Sequence, residues 1–270
     1  MQFPDFDPIA IRIGPFFGIG PLQIHWYALT YLAAFAIAWF LGMKRAKKTG
    51  SGWTSEQVSD LLFYGYLGVI LGGRIGYVLF YHLDFFLADP FYLFKIWDGG
   101  MSFHGGLLGV MTGVWYFAKQ SKKNFWDVAD FTVPLVPLGL GAGRIGNFIN
   151  GELWGRAAPA DLPWAMRFPH DREQLLRHPS QLYEFLLEGI LLFIIVWWFS
   201  GKKRPRMAVT AVFLIGYGIF RFIVEFFREP DEQLKDIMTW LTMGQTLSAP
   251  MIIFGFILLY MAYKKKEKST

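Results

Sequence analysis

Residues 143–155 read GRIGNFINGELWG, and the run before them, 127–142, reads DVADFTVPLVPLGLGA. The upstream run is largely apolar, as expected of a segment that lies in lipid, yet Arg144, Asn147, Asn150 and Glu152 follow it in quick succession. A charged side chain within a bilayer costs on the order of 3 kcal/mol or more. Each of these groups therefore needs a structural partner or a chemical task.

The rest of the chain makes lipid the natural solvent. Its 270 residues are 54% hydrophobic and 19% aromatic with only 17% charged, a balance foreign to soluble domains and usual for polytopic membrane proteins. No Ser- or Pro-rich linker divides it, so residues 1–270 read as one integral-membrane domain. The opening MQFPDFDPIAIRIG lacks the basic, apolar and small-residue regions of a cleaved signal peptide. With no cysteine, the chain has no disulfide, no thiolate metal ligand and no sulfur nucleophile of its own.

Seven stretches approach the roughly 20 helical residues needed to cross a bilayer core. They cover 24–42, 58–81, 100–118, 127–149, 182–200, 208–227 and 245–263. Basic residues cluster between them: Lys44, Arg45, Lys47 and Lys48; Lys119, Lys122 and Lys123; Lys202, Lys203, Arg204 and Arg206; Lys264, Lys265, Lys266 and Lys268. These are 15 of the 26 Lys and Arg residues, all on one side. The opposite side carries Arg12, Lys95, Arg156, Arg167, Arg172, Arg177, Arg228 and Lys235, while Arg74, Arg144 and Arg221 fall within spans. The positive-inside rule then places the C-terminus in the cytoplasm and the N-terminus outside. Charge placed this way is a topology signal and gives no reason to expect nucleic acid. The fold expected is an all-α polytopic membrane protein of seven transmembrane helices, with an N-terminal arm (1–23) and a small periplasmic head (150–181).

At about 1.5 Å per helical residue, Arg74, Arg144 and Arg221 all lie in the outer third of their spans. His104 begins the third span, and His25, Trp26 and Tyr27 begin the first, at the same level. Singly, Arg74 reads equally well as a side chain snorkelling to the headgroups or paired with a carboxylate, and Trp26 and Tyr27 read as interfacial belt residues. In 211–231, AVFLIGYGIFRFIVEFFREPD, the spacing of Tyr217, Arg221, Glu225 and Arg228 puts all four on one helical face. One carboxylate between two guanidiniums leaves positive charge over for an anion, unless the face is only an ion-pair ladder. GGRIG at 72–76 echoes the GRIG of 143–146 and hints at similar close helix packing.

Guanidinium binds phosphate through two parallel hydrogen bonds and stays charged at low dielectric. Arginines at headgroup depth, rimmed by Asn, Tyr and His, suit a phosphodiester. Composition and spacing alone thus reach an outward-facing phospholipid-binding membrane protein. Enzyme, lipid transporter or flippase, and structural or assembly subunit all stay open at this point.

GRIGNFINGELWG is very similar to the signature of the prolipoprotein diacylglyceryl transferases. HWYALTYL (25–32), GGRIGYVLFY (72–81), WDGGMSFHGGLLG (97–109), RHPSQLYE (177–184) and FRFIVEFFREPD (220–231) also resemble that family, over nearly the whole chain. The resemblance implies a seven-helix fold in the bacterial inner membrane, with a periplasmic N-terminus and head. It also implies transfer of the diacylglyceryl group of phosphatidylglycerol to the lipobox cysteine thiol of a prolipoprotein, releasing glycerol 1-phosphate without metal or cofactor. Carried over by motif, the catalytic residues are His104, Arg144 and Arg221. Tyr27, Asn147, Glu152 and Gly155 occupy further important positions, and Tyr217, Glu225 and Arg228 complete the expected substrate-binding face. On this reading Arg144 and Arg221 hold the phosphate, Glu152 and Glu225 orient arginines, and Asn147 bonds headgroup oxygens. His104 is either the base for the incoming thiol or a positioning hydrogen bond; the sequence separates neither.

Overall fold

Helix forms wherever the sequence offers a long apolar run. The computed structural model describes residues 1–15, 20–95, 99–229 and 241–267, with side chains given up to Lys264. Lys235 and Lys268, counted in the charge asymmetry, lie outside the described residues, as do 16–19 of the expected arm and Trp97 and Asp98 of a quoted motif.

The arm is not helical: strands β1 (Ile9–Ile13) and β2 (Leu22–His25) pair antiparallel. Helices follow as α1 (Trp26–Ala46), α2 (Ser55–Tyr81), α3 (Leu83–Ala88) and, after a 3-10 turn at Pro90–Phe94, α4 (Phe103–Gln120). Then come α5 (Phe125–Thr132), a 3-10 turn at Val133–Leu135 and α6 (Val136–Ile149). Pro134 and Pro137 explain that break, because each removes a helical N–H and crowds the preceding turn. The remaining elements are α7 (Ser180–Glu184), a π-helical turn at Phe185–Leu191, α8 (Leu192–Phe199), α9 (Ala208–Val224) and α10 (Met243–Glu267).

Five helical runs are long and apolar enough to cross a membrane: Trp26–Ala46, Ser55–Tyr81, Phe125–Ile149, Ser180–Phe199 and Met243–Lys264. Helix α9 is apolar but shorter, at 17 residues. Helix α4 occupies the remaining expected stretch, its apolarity diluted by His104, Lys119 and Gln120. Leu32, Phe40, Phe80, Trp198 and Phe256 are exposed. In water such surface costs about 25 cal/mol per Å², a penalty that disappears against acyl chains. The protein is a helical membrane protein.

The chain divides into two compact units, Met1–Ala38 with Thr132–Thr270, and Trp39–Phe131. Within the second, α2 and α4 pack through small residues, as the GGRIG run led us to expect. A Cβ added at Gly72 would collide with the Gly105 carbonyl oxygen, and one at Gly109 with that of Gly68. Without water to drive association, such backbone proximity is how membrane helices gain contact energy.

In the first unit, α6 lies against the π-turn: a Cβ on Gly189 would sit 2.9 Å from the Gly141 Cα. That approach brings Arg144, one turn further along α6, to the acidic residues of 184–188. Leu192, Val196 and Val209 form a buried core on which Phe213, Tyr217 and Phe220 pack. Residues 150–179 hold no long helix and are organised instead around buried Arg177. Its guanidinium donates to both Asp171 oxygens, at 2.9 and 3.0 Å, and to Glu173 at 2.5 Å, and reaches Glu229 at 3.4 Å.

Candidate active site

The arginines of 143–155 and of α9 meet, and they meet on a residue that the sequence reading did not single out. Glu184, fully buried at the end of α7, has its Oε2 3.1 Å from Arg144 Nε and its Oε1 against Arg221 Nη1. Glu188, one turn on and equally buried, stands 4.0 Å from Arg144 Nη2 and 3.9 Å from Arg221 Nη1. A widened π-turn carries this second carboxylate, and such turns recur at functional sites.

Arg221 Nη2 also contacts Glu225 Oε1 at 2.5 Å, and Arg228 Nη1 lies 3.5 Å from the same oxygen. Glu225 therefore does stand between two arginines, as the four- and three-residue spacings suggested. The regular helix ends at Val224, so Glu225 and Arg228 belong to the turn beyond α9. Thr242 Oγ1 donates to Glu225 Oε2 at 2.6 Å and fixes the carboxylate from the α10 side. The expected surplus of positive charge needs correcting. Among the described residues, Arg144, Arg221 and Arg228 face Glu184, Glu188 and Glu225, three formal positive charges against three negative.

Glu152 also differs from expectation. Its Oε1 accepts from Asn147 Nδ2 at 2.8 Å and from Asn150 Nδ2 at 3.4 Å, and among the described residues it forms no ion pair. It orients an amide, not an arginine. Gln181, fully buried, donates to the Glu152 carbonyl at 2.6 Å and Ser180 Oγ to the Leu153 carbonyl at 3.1 Å, so the start of α7 clamps the signature's turn. Tyr27 packs against Gly146, where a Cβ would approach Thr30 Oγ1 at 2.6 Å and Tyr27 Cδ2 at 3.0 Å. Its hydroxyl is 3.2 Å from that of Tyr31.

Gly155 has no room for a side chain: a Cβ would come 2.7 Å from the His178 carbonyl oxygen and collide with that of Phe227. The close approach lets Gly155 N–H donate to His178 O and Arg156 N–H to Phe227 O, both at 2.8 Å. These bonds tie the signature to the end of α9 through the bridge between Gly155 and Arg228. Burial holds the His178 imidazole below its ordinary range, and its Nδ1 lies 3.1 Å from Tyr183 Oη, which accepts from Trp164 Nε1 at 2.7 Å.

Arg74 and His104 belong to the other unit. Buried Arg74 does not snorkel, and among the described residues it pairs with no carboxylate. It donates to the carbonyls of Tyr92 (2.7 Å), Leu93 (3.1 Å), Lys95 (2.9 Å) and Gly99 (2.5 Å), with its guanidinium over the Tyr77 and Tyr92 rings. Four of its five N–H donors go to backbone carbonyls, so it ties Tyr92, Leu93, Lys95 and Gly99 to α2. His104 lies exposed in the first turn of α4, which Ser102 caps by accepting from Gly105 N–H at 3.2 Å. Ser102 N–H in turn donates to the Gly73 carbonyl at 2.9 Å, fixing that turn to α2.

The described residues offer no cluster of His, Asp and Glu that would hold a metal. A cavity of about 410 Å³ opens beside the arm, lined by Phe3, Phe6, Asn150, Arg167, His170 and Gln174 among others, and the arginine cluster does not line it. Glu184 and Glu188 were discoverable. Two acidic residues four apart in an apolar span are as costly as the arginines, and they lie on one helical face.

The model of the family described as prolipoprotein diacylglyceryl transferase matches residues 15–261. The chain is 57% identical to a phosphatidylglycerol–prolipoprotein diacylglyceryl transferase of Coxiella burnetii over 269 residues, 99% of this chain and 100% of the relative. It is 57% identical to a protein of that name from Vibrio cholerae serotype O1 and 59% to one from Vibrio vulnificus, each over 98% of this chain and 94% of the relative. Matched along almost its whole length, the chain belongs to the prolipoprotein diacylglyceryl transferase family.

Proposed function

We propose that the protein transfers the diacylglyceryl group of phosphatidylglycerol to the lipobox cysteine thiol of prolipoproteins and releases glycerol 1-phosphate. It does so in the bacterial inner membrane, as the first step of lipoprotein maturation. Helices α4 and α9 join the five longer runs as crossings, the N-terminus and the 150–181 head lie outside, and the C-terminus is cytoplasmic. The excess of basic residues in 44–48, 119–123, 202–206 and 264–268 supports this orientation.

The observation that carries the reading is the pairing of Arg144 and Arg221 across one buried carboxylate, Glu184. In the reaction a carbon–sulfur bond forms at the glycerol carbon as its bond to the phosphate oxygen breaks. The thiol proton passes to a base, and the departing glycerophosphate gains a negative charge. Arg144 and Arg221, preorganised by Glu184, stabilise that charge as it develops. Asn147, held by Glu152, supplies an amide to headgroup oxygens. Tyr27, Gly155, Tyr217, Glu225 and Arg228 build the walls and backbone of the same site. His104 takes the thiol proton as general base, in keeping with the family motif it occupies.

Purified full-length protein, phosphatidylglycerol and a lipobox peptide test the assignment. Mass spectrometry is expected to find the peptide heavier by one diacylglyceryl group and glycerol phosphate released with it. An unmodified peptide beside active-site residues that still bind lipid overturns the assignment and favours a transporter or an assembly subunit.

A further inference from the structure

Glu188 is the one carboxyl of the cluster that no cation touches closely. Its side chain is fully buried, and neither of its oxygens accepts a hydrogen bond. The nearest guanidinium nitrogens, Arg144 Nη2 and Arg221 Nη1, stand 4.0 and 3.9 Å away, beyond hydrogen-bonding range. Both arginines already have a nearer partner: Glu184 for each, and Glu225 in addition for Arg221. A buried carboxylate without a hydrogen-bond donor bears most of the desolvation cost of its charge, on the order of several kcal/mol. A second carboxylate one turn away, Glu184, raises that cost further.

The groups that face Glu188 come from every element packed on the π-turn. They are Arg144 from α6, Glu184 from α7, and Tyr217 and Arg221 from α9, with Arg228 beyond it; α8 contributes no ionisable side chain. With all six charged groups of the cluster ionised, three positive charges meet three negative, and nothing in the set attracts a phosphodiester.

We infer that Glu188 carries its proton in the lipid-free protein, leaving the Arg144–Arg221 pair with one uncompensated positive charge to receive a phosphate monoanion. The proton itself rests only on the geometry of the cluster; its use in lipid binding rests on the function proposed above. Glu188 acts through the arginines and is a positioning residue. When it ionises, the excess charge vanishes and the site's affinity for an anionic lipid falls.

The test is infrared spectroscopy of the full-length protein at neutral pH, which resolves the carbonyl stretch of a protonated carboxylic acid. The expected result is a band in the unaltered protein that is lost in Glu188→Gln and displaced in Glu188→Asp. The same samples are titrated with phosphatidylglycerol vesicles. Glu188→Gln, neutral and of the same shape, is expected to bind lipid within about threefold of the unaltered protein, whereas losing one favourable charge costs about tenfold or more. Affinity in the unaltered protein is expected to fall as pH rises through the loss of the band, and to stay level in Glu188→Gln.

An unaltered protein with no such band, or one whose band survives in both variants, overturns the inference even if transfer proceeds normally. A tenfold loss of affinity in a folded Glu188→Gln overturns it equally, because Glu188 is then a required counter-charge. A Glu188-dependent band in a protein that neither binds nor transfers phosphatidylglycerol leaves the protonated carboxyl standing and defeats the proposed function instead.

Discussion

Glu184 stands between Arg144 and Arg221 with one carboxylate oxygen turned to each, Oε2 at 3.1 Å from Arg144 Nε and Oε1 against Arg221 Nη1. Two guanidiniums on separate helices would otherwise repel, so Glu184 sets both their distance and their orientation. Glu184→Gln keeps the shape and removes the charge. Its transfer rate is expected to drop by about 10²–10³ while the protein still inserts, the loss usual when a preorganised charge stabiliser is misplaced. Steady-state kinetics with phosphatidylglycerol and a lipobox peptide measure this, and a rate within a few-fold of normal would show that the arginines hold themselves.

Arg144→Lys and Arg221→Lys address the same pair from the other side. Lysine keeps the charge but not the planar fork that reaches a carboxylate and a phosphate together. Each substitution is expected to abolish most of the transfer, by about a hundredfold or more, with the larger loss in the chemical step. Alanine at either position is expected to leave no detectable transfer. Comparable rates for Lys and Arg would reduce the site to a simple point charge.

Much of this was legible from the residues. The apolar runs located every long helix among the described residues, because in lipid each backbone polar group must bond within its own segment. Spacing placed Glu225 between Arg221 and Arg228. The task of Arg74 was hidden. Sequence shows depth but not partners, so snorkelling and a carboxylate partner were the readings it offered; the partners are backbone carbonyls of Tyr92, Leu93, Lys95 and Gly99, which carry no side-chain signature. Glu184 and Glu188, by contrast, are legible as two acids four apart in an apolar span, and their charges cancel the positive field that the arginines alone suggest. The strand pairing of the arm, Ile9–Ile13 with Leu22–His25, is short and leaves little periodicity to read.

Arg74 is expected to matter for order and not for lipid. Arg74→Lys keeps one ammonium where a guanidinium served four carbonyls, losing charged hydrogen bonds worth about 1.5–3 kcal/mol each. Thermal unfolding in detergent should move to lower temperature and proteolysis should begin within 90–95, while phosphatidylglycerol affinity stays unchanged. A loss of lipid affinity without a loss of stability would instead make Arg74 a lipid-binding residue.

His104→Gln separates the two roles open to His104. Without a general base, the peptide thiol must ionise unaided, and its pKa lies near about 8.5. The variant is therefore expected to be slow at neutral pH and to recover part of its rate as pH rises toward that value. A rate that stays low and flat across the range assigns His104 to positioning the headgroup.

Asp171 is the acid switch of the 150–179 segment. Two hydrogen bonds from Arg177 and the backbone N–H groups of Glu173 and Leu175 favour its charged form and hold its carboxyl below the usual carboxylate range. A carboxyl whose folded value is depressed binds fewer protons folded than unfolded. Its contribution to stability is therefore complete above the unfolded value, about 3.9, and is lost as pH falls through the folded value. Asp171→Asn is expected to cost about 3 kcal/mol at neutral pH, because it leaves the buried Arg177 guanidinium short of its main partner. The difference from the unaltered protein should shrink steadily below pH 4 and close once Asp171 is protonated in both states. Thermal unfolding of both forms against pH measures it. A gap that stays constant down to the lowest pH would mean that packing around residue 171, not its charge, holds the segment together.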